Sequence, residues 1–252
     1  MTAPWQGLRL VVTGGGSGIG AAVVRRATGL GADVLAVGRR KEPLAESARV
    51  ATSEGPGVAT AFPADVTEAG APERIAAAAG WHLGGVDALV NNAGAASFDR
   101  LEDADLEGLR TMLDTNVAAP AALTRALLPA LRATHGCVVN VSSVGGTLAM
   151  PGRSFYGASK AALNSLTRSL AVELAPEVRV NAVLPGPVDT ALWDHATGGD
   201  TEALRVGIVG VTPMARFGEP EEVAAWVCHL IDPVTARWVT GSLVAIDGGR
   251  TA

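Results

Sequence analysis

Short apolar runs rich in β-branched residues alternate with helical stretches along nearly the whole chain, and that alternation restricts the folds open to it. Residues 8–14 (LRLVVTG), 33–38 (DVLAVG), 57–66, 86–94, 136–143, 178–186 and 241–249 read as strands. Residues 18–32, 42–52, 71–81, about 103–133, 156–175 and 219–231 read as helices, the last with acidic residues in its first turn. Strands that are apolar almost throughout are buried on both faces. Strand–helix–strand units joined by right-handed crossovers build a parallel sheet with helices on both sides. The expectation is an α/β fold: a doubly wound, mostly parallel seven-stranded sheet with helices on both faces. No linker or internal repeat interrupts it, so a single domain over 1–252 is expected.

Composition supports a large core and excludes several functions. The chain has 252 residues, 48% hydrophobic and 18% charged, enough to bury a core. Its net charge is -5 and it carries no Lys/Arg-rich block, which argues against a nucleic-acid surface or a basic membrane face. No apolar run approaches the roughly 18 residues of a membrane span. The opening MTAPWQGLRL lacks the charged and apolar regions of a signal peptide. Cys137 and Cys228 are the two cysteines, too few for a disulfide framework, so a reducing cytoplasm is expected. His135 with Cys137, and Cys228 with His229, lack the further ligands of a zinc site, so no metal is expected.

The stretch TGGGSGIG (13–20) joins the first strand to the first helix. Glycines there permit a tight turn and let the backbone approach a ligand. The helix N-terminus behind them suits a pyrophosphate, as in Rossmann-like folds. The second strand ends in Gly38 followed by Arg39 and Arg40. A dinucleotide site of this kind usually places an acid there to accept from the ribose 2′-OH. An arginine pair would instead hold a 2′-phosphate by charge-assisted bonds. The implied cofactor is NADP(H), with NAD(H) as the alternative.

TGGGSGIG, NNAG (91–94), VSS (141–143), YGASK (156–160) and LPG (184–186) occur in an order and spacing that resembles the short-chain dehydrogenase/reductase family, over Gly7 to Gly249. The resemblance implies a role for each matching residue. Gly14, Ser17, Gly18, Ile19 and Gly20 form the dinucleotide turn, with Thr13 before it. Asp65 and Val66 flank the adenine. Asn91 ties the central strands, and Asn92, Ala93 and Gly94 line the cofactor. Asn116 holds a water behind the catalytic lysine. Ser143 orients the substrate, Tyr156 is the acid/base, and Lys160 is its partner and grips the nicotinamide ribose. Pro185, Gly186, Val188 and Thr190 border the nicotinamide, Thr190 at its carboxamide. Ser17 departs from many NADP-linked members, which carry a basic residue there; the phosphate preference therefore rests on Arg39 and Arg40. The family also implies a homotetramer packed through the long helices, with Ala158, Ala161 and Ala162 allowing close approach.

Tyr156 is the one tyrosine of the chain, and Lys160 is one of two lysines. At i and i+4 of a helix they share one face. A phenol titrates near about 10, and a fixed ammonium beside it favours the phenolate. Such a phenol can protonate a forming alkoxide or deprotonate an alcohol. Tyr156 alone could equally be a structural phenol with a satisfied hydroxyl; Asn116, Ser143 and Lys160 at family spacing favour catalysis. The rim residues Phe98, Val144, Leu148, Met150, Gly186, Leu192 and Trp193 suggest a hydrophobic carbonyl substrate, with Arg153 or His195 near the mouth. Residues 188–212, with Gly198, Gly199, Gly207 and Gly210, read as a lid. The expected function is NADP(H)-dependent hydride transfer between nicotinamide and a carbonyl or secondary alcohol. The alternatives are an NAD(H)-dependent alcohol dehydrogenase, an epimerase or dehydratase using the same tyrosine, and a non-catalytic nucleotide-binding regulator.

Overall fold

The structure, a computed structural model, describes residues 3–191 and 202–252. Seven strands form one sheet: β1 (Arg9–Thr13), β2 (Asp33–Gly38), β3 (Ala59–Pro63), β4 (Ala88–Asn91), β5 (Cys137–Val141), β6 (Arg179–Pro185) and β7 (Leu243–Ile246). Their order is β3-β2-β1-β4-β5-β6-β7, and every pairing is parallel. The expected architecture is borne out; the strands are shorter than the apolar runs because their flanks turn at glycine or polar residues.

Around the sheet lie α1 (Gly18–Leu30), α2 (Lys41–Glu54), α3 (Ala71–Leu83), α4 (Leu106–Leu113), α5 (Ala119–Ala133), α6 (Ser154–Leu174), α7 (Glu202–Gly210) and α8 (Pro220–Ile231). The pleat divides the core into two layers. Leu10, Val12, Val34, Ala36 and Val90 pack with Val23 and Val24 of α1 and Val223 and Val227 of α8. Val11, Leu35, Val37 and Leu89 pack with Ile75 of α3, Leu123, Leu127 and Leu131 of α5 and Leu174 of α6. Each fully buried leucine in these layers contributes on the order of 1.5–3 kcal/mol.

Two features differ from the sequence reading. The long helix over 103–133 is two helices joined by a π-helical turn, Asp114–Ala118, which carries Asn116. The stretch read as a lid contains α7; its Ile208 is buried against Phe217 despite Gly207 and Gly210. The residues Leu192, Trp193, His195, Gly198 and Gly199 lie outside the described residues. Among the described residues no helix is long and apolar enough to cross a membrane.

A polar seam crosses the buried centre. Asn91 and Asn140 are register partners on β4 and β5. Asn91 Nδ2 donates to Asn140 Oδ1 at 2.9 Å, and Asn140 Nδ2 donates to Thr167 Oγ1 of α6 at 2.9 Å. These bonds satisfy groups that burial would otherwise penalise, and they fix α6 against the strand ends that carry the site. Strand order reverses between β1 and β4, so the crevice opens at the carboxyl ends of those strands.

Candidate active site

The glycine turn shapes one end of the crevice. Gly14 has φ +66, and a Cβ there would lie 2.6 Å from Asn92 Nδ2. That amide is fixed by donating to Thr13 O at 2.9 Å and Gly14 O at 3.3 Å. A Cβ on Gly20 would run into the Gly14 carbonyl, so α1 approaches the turn only through glycine. Thr13 Oγ1 accepts from Asn92 N at 2.9 Å and from Ala93 N at 3.0 Å, tying β1 to the start of the NNAG segment. The N-cap of α1 is Ser17, whose side chain makes no capping bond. Its Oγ instead accepts from Arg40 Nη2 at 3.3 Å. The first turn of α1 holds no acid, so the positive end of its dipole faces the crevice unopposed by its own side chains.

Arg39 and Arg40 stand past the end of β2, and Arg39 Nη1 lies 3.8 Å from Asp65 Oδ2. Burial pushes the Asp65 carboxyl up, but two hydrogen bonds from Thr67 and the Arg39 charge outweigh it and hold it below its usual value. Asp65 and Val66 follow β3 and form the neighbouring wall.

The other end gathers Ser143, Tyr156 and Lys160. Ser143 follows β5, and its Oγ accepts from Gly145 N at 3.0 Å. Tyr156 and Lys160 lie on the buried face of α6, 8% and 5% exposed. Lys160 Nζ is 5.9 Å from the Tyr156 ring centroid and donates to Val141 O at 3.0 Å. Burial pushes the lysine down to about 8. Burial also raises the Tyr156 pKa; the Ser143 hydroxyl and the Arg153 charge pull it back only in part. The lowering expected from Lys160 is not seen: desolvation of the buried phenolate is the largest effect, and the groups that oppose it are Ser143 and Arg153.

Asn116 sits behind this group, 1% exposed. Its Nδ2 donates to Ala95 O and to Ser159 Oγ, each at 2.9 Å, and its Oδ1 accepts from Ala95 N at 2.9 Å. The π turn therefore clamps the segment following NNAG to α6. A Cβ on Gly94 would stand 3.3 Å from Asn116 Oδ1 and 3.7 Å from Lys160 Nζ, so glycine leaves room above the ammonium.

One cleft of about 1340 Å³ joins both ends. That exceeds the ordinary ligand pocket of about 300–1,000 Å³ and suits a dinucleotide with a second molecule. Gly14, Ser17, Gly18, Ile19, Arg39, Arg40, Asp65, Val66, Asn92, Ala93, Gly94, Ser143, Tyr156, Lys160, Pro185, Gly186, Val188 and Thr190 all line it. Asn116 and Gly20 support it from behind. Phe98, Val144, Met150 and Arg153 also line it; Leu148 does not. Sequence reading missed Ile208 of α7, and Arg250 beyond β7, which reach the cleft through long-range packing that no local motif signals. Cys137 and Cys228 lie in the core, and burial pushes their thiols up to about 11 and about 12. Among the described residues no group of three or more His, Cys, Asp or Glu could hold a metal ion.

Comparison with known proteins agrees with this geometry. Residues 14–251 match the family model described as enoyl-(acyl carrier protein) reductase. The chain is 36% identical over 247 residues to 2-(S)-hydroxypropyl-CoM dehydrogenase 3 of Xanthobacter autotrophicus, covering 96% of both chains. It is 35% identical over 249 residues to 3beta-hydroxysteroid dehydrogenase 1 of Eggerthella lenta, covering 98% of this chain and 94% of the relative. Among solved structures, L-sorbose reductase of Gluconobacter frateurii, complexed with NADPH and L-sorbose, superposes with TM-score 0.91 at 28% identity, covering 100% of this chain and 99% of the other. With matches of this extent to dehydrogenases and reductases, and a glycine turn and Ser–Tyr–Lys wall sharing one cleft, the chain belongs to the short-chain dehydrogenase/reductase family and is an oxidoreductase of the nicotinamide-dependent kind.

Proposed function

We propose that this enzyme transfers hydride between NADP(H) and the carbonyl or secondary alcohol of a small molecule with an apolar body. The observation that carries the reading is the placement of Ser143, Tyr156 and Lys160 at one end of the cleft and of Ser17, Arg39 and Arg40 at the other. The site fits the cofactor: a Cβ on Gly14 would lie 2.6 Å from Asn92 Nδ2 and one on Gly18 3.0 Å from Thr190 Cγ2, so glycine lets the turn pack against both neighbours and present its backbone to the cleft. When bound, nicotinamide supplies or accepts the hydride at the substrate carbon. The chain's own residues hold the oxygen. Ser143 Oγ orients it, and Tyr156 Oη gives it a proton in reduction or takes one in oxidation. Lys160, whose Nζ donates to Val141 O, adds positive charge beside the phenol and would hold the nicotinamide ribose of a bound cofactor. Asn116 commits both amide protons to Ala95 and Ser159, so any water it holds for a proton relay is bound through its oxygens.

Arg39, Arg40 and Ser17 line the same end of the cleft, and Arg40 Nη2 donates to Ser17 Oγ at 3.3 Å; these two arginines would hold a 2′-phosphate, which supports NADP(H). Arg39→Ala is expected to raise the Kd of NADPH roughly tenfold or more, and that of NADH by less than about threefold. Fluorescence titration with both cofactors checks it; equal losses would favour NAD(H). A carbonyl and alcohol panel read at the NADPH absorbance band tests the reaction itself. Steady consumption of cofactor separates a reductase from an epimerase or a regulator, which would show none.

We read the chain as one catalytic domain; of the segment at about 188–212, the described residues Val188, Thr190 and Ile208 border the cleft. α7 is anchored there: Arg205 Nη1 donates to Asp189 Oδ1 at 3.0 Å, and Arg205 stacks 4.3 Å from the Phe217 ring centroid. The buried free thiols suit a reducing cytoplasm. A homotetramer is the proposed assembly. Ala158 and Ala161 present small side chains on the outer face of α6, and Trp238, Val234 and Val172 stand 99%, 81% and 82% exposed in this single chain. Light scattering on the eluting peak is expected to give four times the monomer mass; a monomer would refute it.

A further inference from the structure

α7 ends in a turn whose backbone needs support from outside. Ile208, its residue in the cleft, is buried with Phe217, and Phe98 packs against the pair. Thr212 Oγ1 donates to Ile208 O at 2.8 Å, and Ala215 N donates to Thr212 O at 2.8 Å, so Thr212 joins the helix end to the turn that follows. Ala215 has φ +52, in the left-handed region that alanine rarely adopts. Such a backbone persists where its surroundings hold it.

Those surroundings are the tail after β7. Met214 N donates to Gly248 O at 3.0 Å, and Arg250 Nη1 donates to Val211 O at 3.3 Å. Gly248 and Gly249 have φ +64 and +85. A Cβ on Gly248 would lie 3.0 Å from Thr212 Cγ2, and one on Gly249 3.2 Å from Pro213 Cβ. The tail therefore meets each residue from Val211 to Met214, and two glycines let it lie close against them.

One carboxylate folds that tail. Asp247 Oδ1 accepts from Gly249 N at 2.9 Å, and its Oδ2 accepts from Thr251 N at 2.9 Å and from Thr251 Oγ1 at 2.6 Å. The backbone of Asp247 is fixed separately. Gly186 N donates to Ile246 O at 2.9 Å, and a Cβ on Gly186 would lie 2.7 Å from Asp247 Cα. Asp247 thus stands between the turn at Pro185 and Gly186, which borders the cleft, and the tail that supports α7. Asp247 does not itself line the cleft.

We propose that Asp247 is a positioning residue for substrate: its carboxylate folds residues 248–251 into a brace that holds the end of α7, and with it Ile208, against the apolar body of the carbonyl compound. This deepens the oxidoreductase reading above and rests on it. Ile208 meets the part of the substrate away from the reacting oxygen, so its contact is the same before and during hydride transfer. Its loss therefore appears in KM and leaves kcat in place. Arg250 adds one bond to the brace, and its removal has a smaller effect of the same kind.

Benzylacetone and acetone, each offered with NADPH, compare a long apolar body with almost none. Asp247→Ala is expected to raise KM for benzylacetone roughly 5- to 20-fold, while kcat, KM for acetone and the Kd of NADPH each change by less than about threefold. Asp247→Asn keeps an oxygen that accepts and should fall between the two proteins; Arg250→Gln should raise KM for benzylacetone about two- to threefold. Hydrogen exchange reads the brace without turnover. The amides of residues 206–212 should exchange roughly tenfold faster in Asp247→Ala, and those of β1 and β4 at the wild-type rate. Should Asp247→Ala fail to fold, Asp247→Asn reads the same two quantities at smaller amplitude. Equal KM rises for both ketones, a fall in kcat with KM unchanged, or wild-type exchange over 206–212 would overturn the proposal. Faster exchange there with no ketone reduced by the wild-type enzyme would keep the brace and sink the carbonyl reading. Ketones reduced by all variants alike, with exchange unchanged, would do the reverse.

Discussion

Tyr156→Phe is expected to lower kcat roughly 10²- to 10⁴-fold while changing the Kd of the cofactor by less than about threefold. The substitution removes one oxygen and keeps the ring. The ring is 8% exposed and packs edge-on against Phe98, and phenylalanine preserves that contact. The deleted hydroxyl is itself in a desolvated place, since burial is the largest cause of its raised pKa. The fold therefore loses little, and the loss falls on proton transfer at the substrate oxygen. Steady-state rates at the NADPH absorbance band, with cofactor titration by tryptophan fluorescence, separate the two effects. A variant turning over at the wild-type rate would move the acid/base role off Tyr156. The pH dependence has a definite sign. Carbonyl reduction needs the protonated phenol, so its rate holds at neutral pH and falls as pH passes the phenol pKa. Alcohol oxidation needs the phenolate and rises over the same interval.

The layout of the site was legible in the sequence because its main parts are local. A turn of glycines between strand and helix, a pair of asparagines ending β4, and a phenol and ammonium four residues apart on one helix each announce themselves within a few positions. The parallel sheet was legible because both its faces are buried, which made the strands apolar throughout. The π turn at Asp114–Ala118 was not, since inserting one residue in a helix leaves the apolar spacing on either side intact. α7 was hidden by Gly207 and Gly210, whose propensity cost is overridden by burying Ile208 against Phe217. Arg250 was invisible for a third reason: it reaches the cleft only because Asp247 turns the tail and Val211 receives it, 39 residues away in sequence. The raised pKa of Tyr156 was also out of reach, because the i, i+4 spacing gives the partner and says nothing about how dry the site is.

Lys160→Met is expected to abolish most activity, by about 10²-fold or more, while making the cofactor-free protein more stable at neutral pH. Burial holds the lysine at about 8 against its ordinary value of 10.5. Below pH 8 the ammonium is charged both in the fold and in the unfolded chain, and the fold bears the full desolvation cost of about 3 kcal/mol. Between pH 8 and 10.5 the native lysine has lost its proton while the unfolded one keeps it. The unfolded state then binds more protons, so this residue's contribution makes stability rise with pH until the cost is gone. Methionine removes the charge at every pH and leaves the Val141 carbonyl without its donor, a loss of about 1 kcal/mol. The variant should therefore lead by about 2 kcal/mol at pH 7, and the lead should vanish by pH 10.5. The total stability of either protein moves the other way above pH 9, because the buried Cys137 and Cys228 thiols, raised to about 11 and about 12, favour the unfolded thiolates. Those contributions are common to both proteins and cancel in the difference. Urea midpoints at pH 7, 8, 9 and 10 give that difference directly; one that stays flat across the series would mean that Lys160 is not held charged against burial. A cation that weakens the fold and persists one turn from the phenol is the mark of a residue kept for the reaction and not for packing.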